Sequence, residues 1–174
     1  MKKVQLLICI FLMSWSAVAQ SKKDKEIISD SKEAKEAFLK QDPSMGNLFA
    51  KAYAYVIFPN VGKGGLGIGG AAGNGCAYQG GKLVGMAKLS QVTIGFQAGG
   101  QAYREIIFFE SAADFTKFKE NNVEFSAQVS AVAATAGASA NAKYTDGVMV
   151  QTMAKGGLMY EASVGGQKFK FSKL

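Results

Sequence analysis

Between Asn60 and Gly75 the chain reads NVGKGGLGIGGAAGNG, eight glycines in sixteen positions, directly after the apolar run AYAYVIF. Glycine at this density argues against helix, because each interior glycine costs about 1 kcal/mol relative to alanine. Gly65, Gly67 and Gly69 alternate, and Leu66 and Ile68 then fall on the opposite face of a strand. Alternate glycines strip one strand face of side chains, so a second layer can approach closely or the sheet can bend sharply. The device recurs in GFQAGGQA and in AVAATAGASANA. A curved, glycine-rich antiparallel β-sheet or barrel-like core is the expectation.

The same stretch spells GxGxxG from Gly62 to Gly67, the fingerprint of a dinucleotide-binding turn. That chemistry needs a helix straight after the glycines, so that its N-terminus can receive the pyrophosphate. GIGGAAGNG does not make that helix, and about twenty residues on the chain reads GGKLVG, with no acidic residue for a ribose. The nucleotide reading fails.

Histidine is absent from all 174 residues. The usual general base, the usual zinc ligand and every Ser-His-Asp or Cys-His arrangement are therefore missing. Beyond residue 50 the acidic residues are Glu105, Glu110, Asp114, Glu120, Glu124, Asp146 and Glu161, with no paired spacing. A non-enzyme without metal or cofactor is expected.

The first nineteen residues read as a secretory signal peptide. Lys2 and Lys3 precede the apolar run VQLLICIFLMSW, and Ala17 and Ala19 suit a cut after Ala19. Cys9 lies inside the apolar run behind the large Ile8, which suits a lipoprotein cleavage poorly. Export to the periplasm or beyond is expected, with residues 20–174 as one domain and formal charge falling from +7 to +5 as the two lysines leave. Cys76 would then have no partner for an internal disulfide, and reads as a small buried hydrophobe.

Residues 22–40 are charged, free of Gly and Pro, and carry a loose apolar stripe through Ile27, Ile28, Ala34, Ala37 and Phe38. A helix is expected there, and a short second one after Asp42-Pro43-Ser44, so that N-terminal helices fill about 22–52. The glycine-rich β core then spans about 53–171. Pro59-Asn60 reads as the end of the first strand, GNG at 73–75 as a hairpin, and Gly80-Gly81 as a second turn. Ser111 and Asp114 form a capping box that opens an inserted helix over about 111–120, with Phe115 and Phe118 on one face. The small-residue stretch from Val123 to Tyr144 suits strand better than helix. The fold class is α+β.

The order of these segments resembles the SYLF, or Ysc84-like, domain. The entry AKAYAYVIFPNVGKGG, the strand Gly95-Phe-Gln97-Ala-Gly99 and the late KGGLMYEASVG from Lys155 to Gly165 carry the resemblance, which runs from about residue 30 to 171. It implies a lipid-binding domain, of the kind that in eukaryotes meets phosphoinositide membranes. Many members carry a Trp-Ser-x-Pro-like segment before the G-x-Q-x-G strand. Here that place reads GKLVGMAKLSQVT, so headgroup preference does not carry over.

A phospholipid or membrane surface is accordingly the expected partner, with self-association left open and nucleic acid disfavoured. The candidate lipid contacts are Lys63, Lys155, Lys51, Lys88, Arg104, Lys168 and Lys170. Lys63 and Lys155 sit among glycines, where turn amides could form an anion nest. Arg104 adjoins Glu105, and a local ion pair is the plainer reading. Lys22, Lys23, Lys25, Lys32, Lys35 and Lys40 alternate with acids and read as a solvated helix face. Apolar help could come from Phe49, Leu66, Ile68, Phe96 or Met159, although core packing is the plainer reading of each. An envelope scaffold or assembly protein without a lipid ligand is the alternative.

Overall fold

The computed structural model describes the backbone of residues 2–120, 124–125, 132–133, 139 and 142–174, and side chains within those ranges except at 2–21, 95–97, 124–125, 132–133 and 158–165. The α+β class holds. Two N-terminal helices, α1 (Lys2–Gln41) and α2 (Met45–Lys51), precede β1 (Ala54–Gln79) and β2 (Lys82–Phe109). The inserted helix α3 (Ala112–Lys119) follows, then the short β3 (Glu124–Phe125) and β4 (Val132–Ala133), and finally β5 (Val148–Lys173). Of the rest of the expected 123–144 strand, Ser139 and residues 142–144 are described and lie outside any strand, and the others lie outside the described residues.

The sheet order is β1-β2-β5-β3, open rather than closed, with β4 also paired to β5. All pairings are antiparallel except β4 with β5. Gly80 and Gly81, at φ 55° and 78°, make the two-residue turn that joins Gln79 to Lys82. Both positions need the left-handed region that glycine enters without strain.

Two expected breaks are not breaks. Pro59-Asn60 sits in a register shift between Phe58 and Val61 that β1 passes through, since a bulge tolerates proline. GNG at 73–75 is not a hairpin; it continues β1, paired to Leu89, Lys88 and Ala87. Its glycines serve close approach instead. A Cβ on Gly73 would lie 3.0 Å from the Asn60 carbonyl oxygen, and one on Gly75 would overlap the Ile57 carbonyl.

Those contacts mean that β1 doubles back on itself. Its first half (54–64) faces its second half (70–79), and β2 and β5 follow the same course. The bend lies where β1 carries Gly65 to Gly69, with a register shift between Leu66 and Ile68 and Gly67 at φ 70°. Gly99 and Gly157 supply positive φ in the neighbouring strands. The Gly80-Gly81 turn returns to the start of β1, where Gln79 Nε2 donates to Tyr53 Oη at 2.7 Å.

The core fills the space between the two halves. Ala54, Val56, Phe58 and Ile107 from the first half meet Ala77, Ala87, Leu89 and Phe169 from the second. Helix α3 closes one side with Phe115 and Phe118, fully buried against Phe109, Phe169 and Phe171. Its start is the expected cap: the Asp114 amide donates to Ser111 Oγ at 3.3 Å, and the Ser111 hydroxyl donates to the Asp114 carboxylate.

A second cluster lies on the outer face of the first half. There Ala34, Phe38 and Met45 of the helices cover Tyr55, Ile57, Ile106 and Phe108. The corner between α1 and α2 is fastened by Asp42, 1% exposed. Its carboxylate accepts from the amide and hydroxyl of both Ser44 and Ser139, at 2.6 to 3.0 Å. Burial opposes ionisation of Asp42, but these four bonds outweigh it and hold the carboxyl well below the usual carboxylate range.

Candidate functional site

The outer face of the second half collects the lysines. On β2 the outward positions from the middle of the strand toward the bend are Lys88, Ser90, Val92 and Ile94. On β5 their cross-strand partners are Lys170, Lys168, Gly166 and Val164. Lys88 therefore stands directly opposite Lys170, both exposed, with exposed Lys168 one pleat repeat nearer the bend. Like charges directly opposite in a sheet repel. The middle of α1, around Lys23, Asp24 and Ile27, passes beside this face and borders a recess of about 160 Å³, lined among others by Asn74, Lys88, Lys170 and Ser172. An anion held there would relieve the repulsion between Lys88 and Lys170.

Toward the bend the same face turns apolar. Val92 is 66% and Ile94 67% exposed, and Ile68, the Cα partner of Ile94 on β1, is 68% exposed. Leu66, at the register shift, is 83% exposed. Core packing therefore does not describe Leu66 or Ile68. It does describe Phe49, which packs edge-on against Tyr55 and Phe108. The side chains of Phe96 and Met159 lie outside the described residues.

The other candidate residues are dispersed. Lys63 and Lys155 lie in β1 and β5, so their amides belong to strands and form no turn nest. The exposed Lys155 ammonium donates to Asn60 Oδ1. Lys51 ends α2, at the end of β1 remote from the bend. Arg104 and Glu105 are neighbours on an extended strand and point to opposite faces, so the expected local ion pair gives way to other contacts. The Arg104 guanidinium lies 3.8 Å from Met153 Sδ.

Glu105 points into the space between the halves and is 1% exposed. Its Oε2 accepts from Gln167 Nε2 at 3.0 Å, and its Oε1 has no hydrogen-bond partner. Burial raises its pKa to about 7, against the opposing effects of the Gln167 bond and the nearby Lys63 ammonium. Among the described residues no group of three or more His, Cys, Asp or Glu side chains is arranged to hold a metal.

Sequence reasoning missed Val92 and Ile94, although SQVTIGF is a recognisable strand. Counting outward from Lys88 in steps of two reaches both. It also left Lys23 on a solvated helix face, whereas the fold brings it beside two strand lysines.

Residues 90–173 match the model of the Ysc84 family, described as a Las17-binding protein and actin regulator. The C-terminal half of the chain belongs to the Ysc84 (SYLF) family. The matched segment begins at Ser90 and contains Val92, Ile94, Lys168 and Lys170 of the face described above. The chain is also 31% identical over 135 residues to beta cell expansion factor A of Aeromonas veronii. That alignment covers 76% of this chain and 51% of the relative, so the chain spans about half the length of the protein it matches. Within the Ysc84 frame, the strongest local feature of this chain is the lysine face with its apolar margin.

Proposed function

We propose that this protein is an exported, non-catalytic domain that binds anionic lipid surfaces through the face bearing Lys88, Lys168 and Lys170, with Lys23 beside it. The observation that carries this reading is the direct opposition of Lys88 and Lys170, beside a recess with exposed aliphatic side chains further along the same strand. Membership of the Ysc84 family supports it, and the leader-like first nineteen residues support export. The anionic ligand is defined by its phosphate charge, since nothing on the face selects one headgroup.

Co-sedimentation with vesicles tests the reading. Wild-type protein is expected to pellet with phosphatidylglycerol-containing vesicles at low salt and far less with pure phosphatidylcholine. Reversing Lys88→Glu and Lys170→Glu together should remove most of that difference. Equal binding by the wild type and the reversed variant would overturn the assignment to this face, and no binding to any vesicle would favour a scaffold role instead.

Charge alone is a weak tether. Each lysine near an anionic surface contributes about 1 kcal/mol. Four of them give about 4 kcal/mol, which corresponds to millimolar binding that salt screens. A stable attachment needs an apolar contribution from elsewhere on the same surface.

A further inference from the structure

We propose that the aliphatic rim at the bend of the folded sheet enters the acyl layer of an anionic bilayer, so that the domain docks bend-first with its strand lysines at the headgroups. The inference rests on the lipid-binding reading above and adds the residues, the depth and the orientation. The rim consists of Leu66, Ile68, Val92 and Ile94.

Six large hydrophobic residues are exposed among those described, and these four gather on two paired strands at one end of the fold. The remaining two are Tyr53, only 37% exposed at the opposite end, and Leu174 at the C-terminus. A group of exposed apolar side chains gathered in one place among the described residues marks an interaction surface.

The strand sets the spacing. At about 3.3 Å per residue, Val92 lies about 7 Å beyond the row of Ser90 and Lys168, and Ile94 about 20 Å beyond Lys88. From row to row the face reads Lys88 with Lys170, Ser90 with Lys168, Val92 with Gly166, and then Ile94. Cationic rows followed by aliphatic ones match the environments met on passing from the headgroup layer into the acyl chains.

The backbone limits how deep this goes. In these rows β2 is central and hydrogen-bonded on both sides, whereas β1 is the sheet edge. Unpaired edge amides are costly in hydrocarbon, so insertion stops about one side chain deep, within the interfacial 5–10 Å. The outward Gly70 and Gly166 flank Val92 and add no polar side chain to that layer.

Charge decides between lipid and a second copy of this chain as the occupant. Two-fold pairing through the rim would bring two lysine faces toward each other, and the repulsion would oppose it. An anionic bilayer complements both parts of the surface at once.

The test compares wild type, Ile68→Asn/Ile94→Asn and Lys88→Glu/Lys170→Glu on vesicles of phosphatidylglycerol with phosphatidylcholine, at low salt and at 1 M salt on the order of full screening. All four positions are exposed, so circular dichroism should report an unchanged fold. Wild type is expected to keep a salt-resistant bound fraction. The asparagine variant should lose that fraction, with affinity down roughly tenfold or more, while the glutamate variant loses mainly the low-salt component. Unchanged binding of the asparagine variant, with binding abolished in the glutamate variant, would overturn rim insertion and leave the lipid reading standing. Failure of wild type to bind any vesicle would overturn both. A fall in sedimentation mass of the asparagine variant with vesicle binding unchanged would assign the rim to self-association and overturn the proposal.

Discussion

Glu105 Oε2 accepts a hydrogen bond from Gln167 Nε2 at 3.0 Å, linking the C-terminal half of β2 to the C-terminal half of β5 across the interior of the folded sheet. The bond ties together the two layers that the glycine bend brings face to face. It leaves Oε1 without a partner in a site that is 1% exposed. The groups facing this carboxyl are Gln167 and the Lys63 ammonium, and burial outweighs both.

Stability should therefore fall as pH rises across the range in which native Glu105 holds a proton and the unfolded chain does not. The carboxyl is raised from 4.5 to about 7, so native protein binds the extra proton between those values. Stability is then highest below about pH 4.5 as far as this group is concerned, and the loss is complete above about pH 7. A shift of this size corresponds to about 3 kcal/mol. Urea midpoints measured from pH 5 to 8 should slope downward for wild type, and Glu105→Gln should flatten the slope and be the more stable protein at pH 8.

Asp42 should act in the opposite direction. Its folded pKa is depressed, so its stabilisation is present above the ordinary carboxylate range and lost as pH falls below about 4. Asp42→Asn keeps the size and removes the charge that accepts from Ser44 and Ser139, and should cost about 2 kcal/mol at neutral pH. Thermal unfolding of Asp42→Asn and Ser139→Ala at pH 7 checks this; a melting temperature equal to wild type for both would show that the corner is not fastened there.

The glycines of β1 should differ sharply in what they tolerate. A methyl at Gly75 would overlap the Ile57 carbonyl oxygen and lie 2.7 Å from Phe58 Cδ1, whereas one at Gly62 meets nothing within 4 Å. Gly75→Ala should destabilise by about 1–3 kcal/mol through overpacking. Gly62→Ala should fall within about 0.5 kcal/mol of wild type. Chemical denaturation of the pair decides whether glycine serves layer contact or only backbone freedom.

Cys76 should be inert while the protein is folded. It is fully buried, and desolvation pushes its thiol pKa above the ordinary thiol range, so little thiolate forms at neutral pH. A thiol reagent that reacts with thiolate should label it only as fast as the chain opens, and addition of urea should raise the rate steeply. Fast labelling at neutral pH without denaturant would contradict the packing of this strand against α1.

The local features of this chain are written in the sequence by itself. Proline- and glycine-free charged residues make α1, Ser111 and Asp114 start α3, Gly80-Gly81 turns β1 into β2, and alternate glycines forbid a nucleotide fold and demand a thin sheet face. These are short-range effects of backbone sterics and capping, so a window of a few residues carries them. The lysine candidates were legible as a set, but which of them share a face was not.

Tertiary structure decided the rest because the sheet folds over. A window cannot show that 57–61 lies against 73–75, so GNG read as a turn when its glycines in fact permit two layers to touch. Nor can it show that Lys88 stands across from Lys170, that Arg104 and Glu105 part to opposite faces, or that Leu66 and Ile68 stay in solvent. Each depends on cross-strand register between residues tens of positions apart, and register is settled only when the core between the two halves is filled.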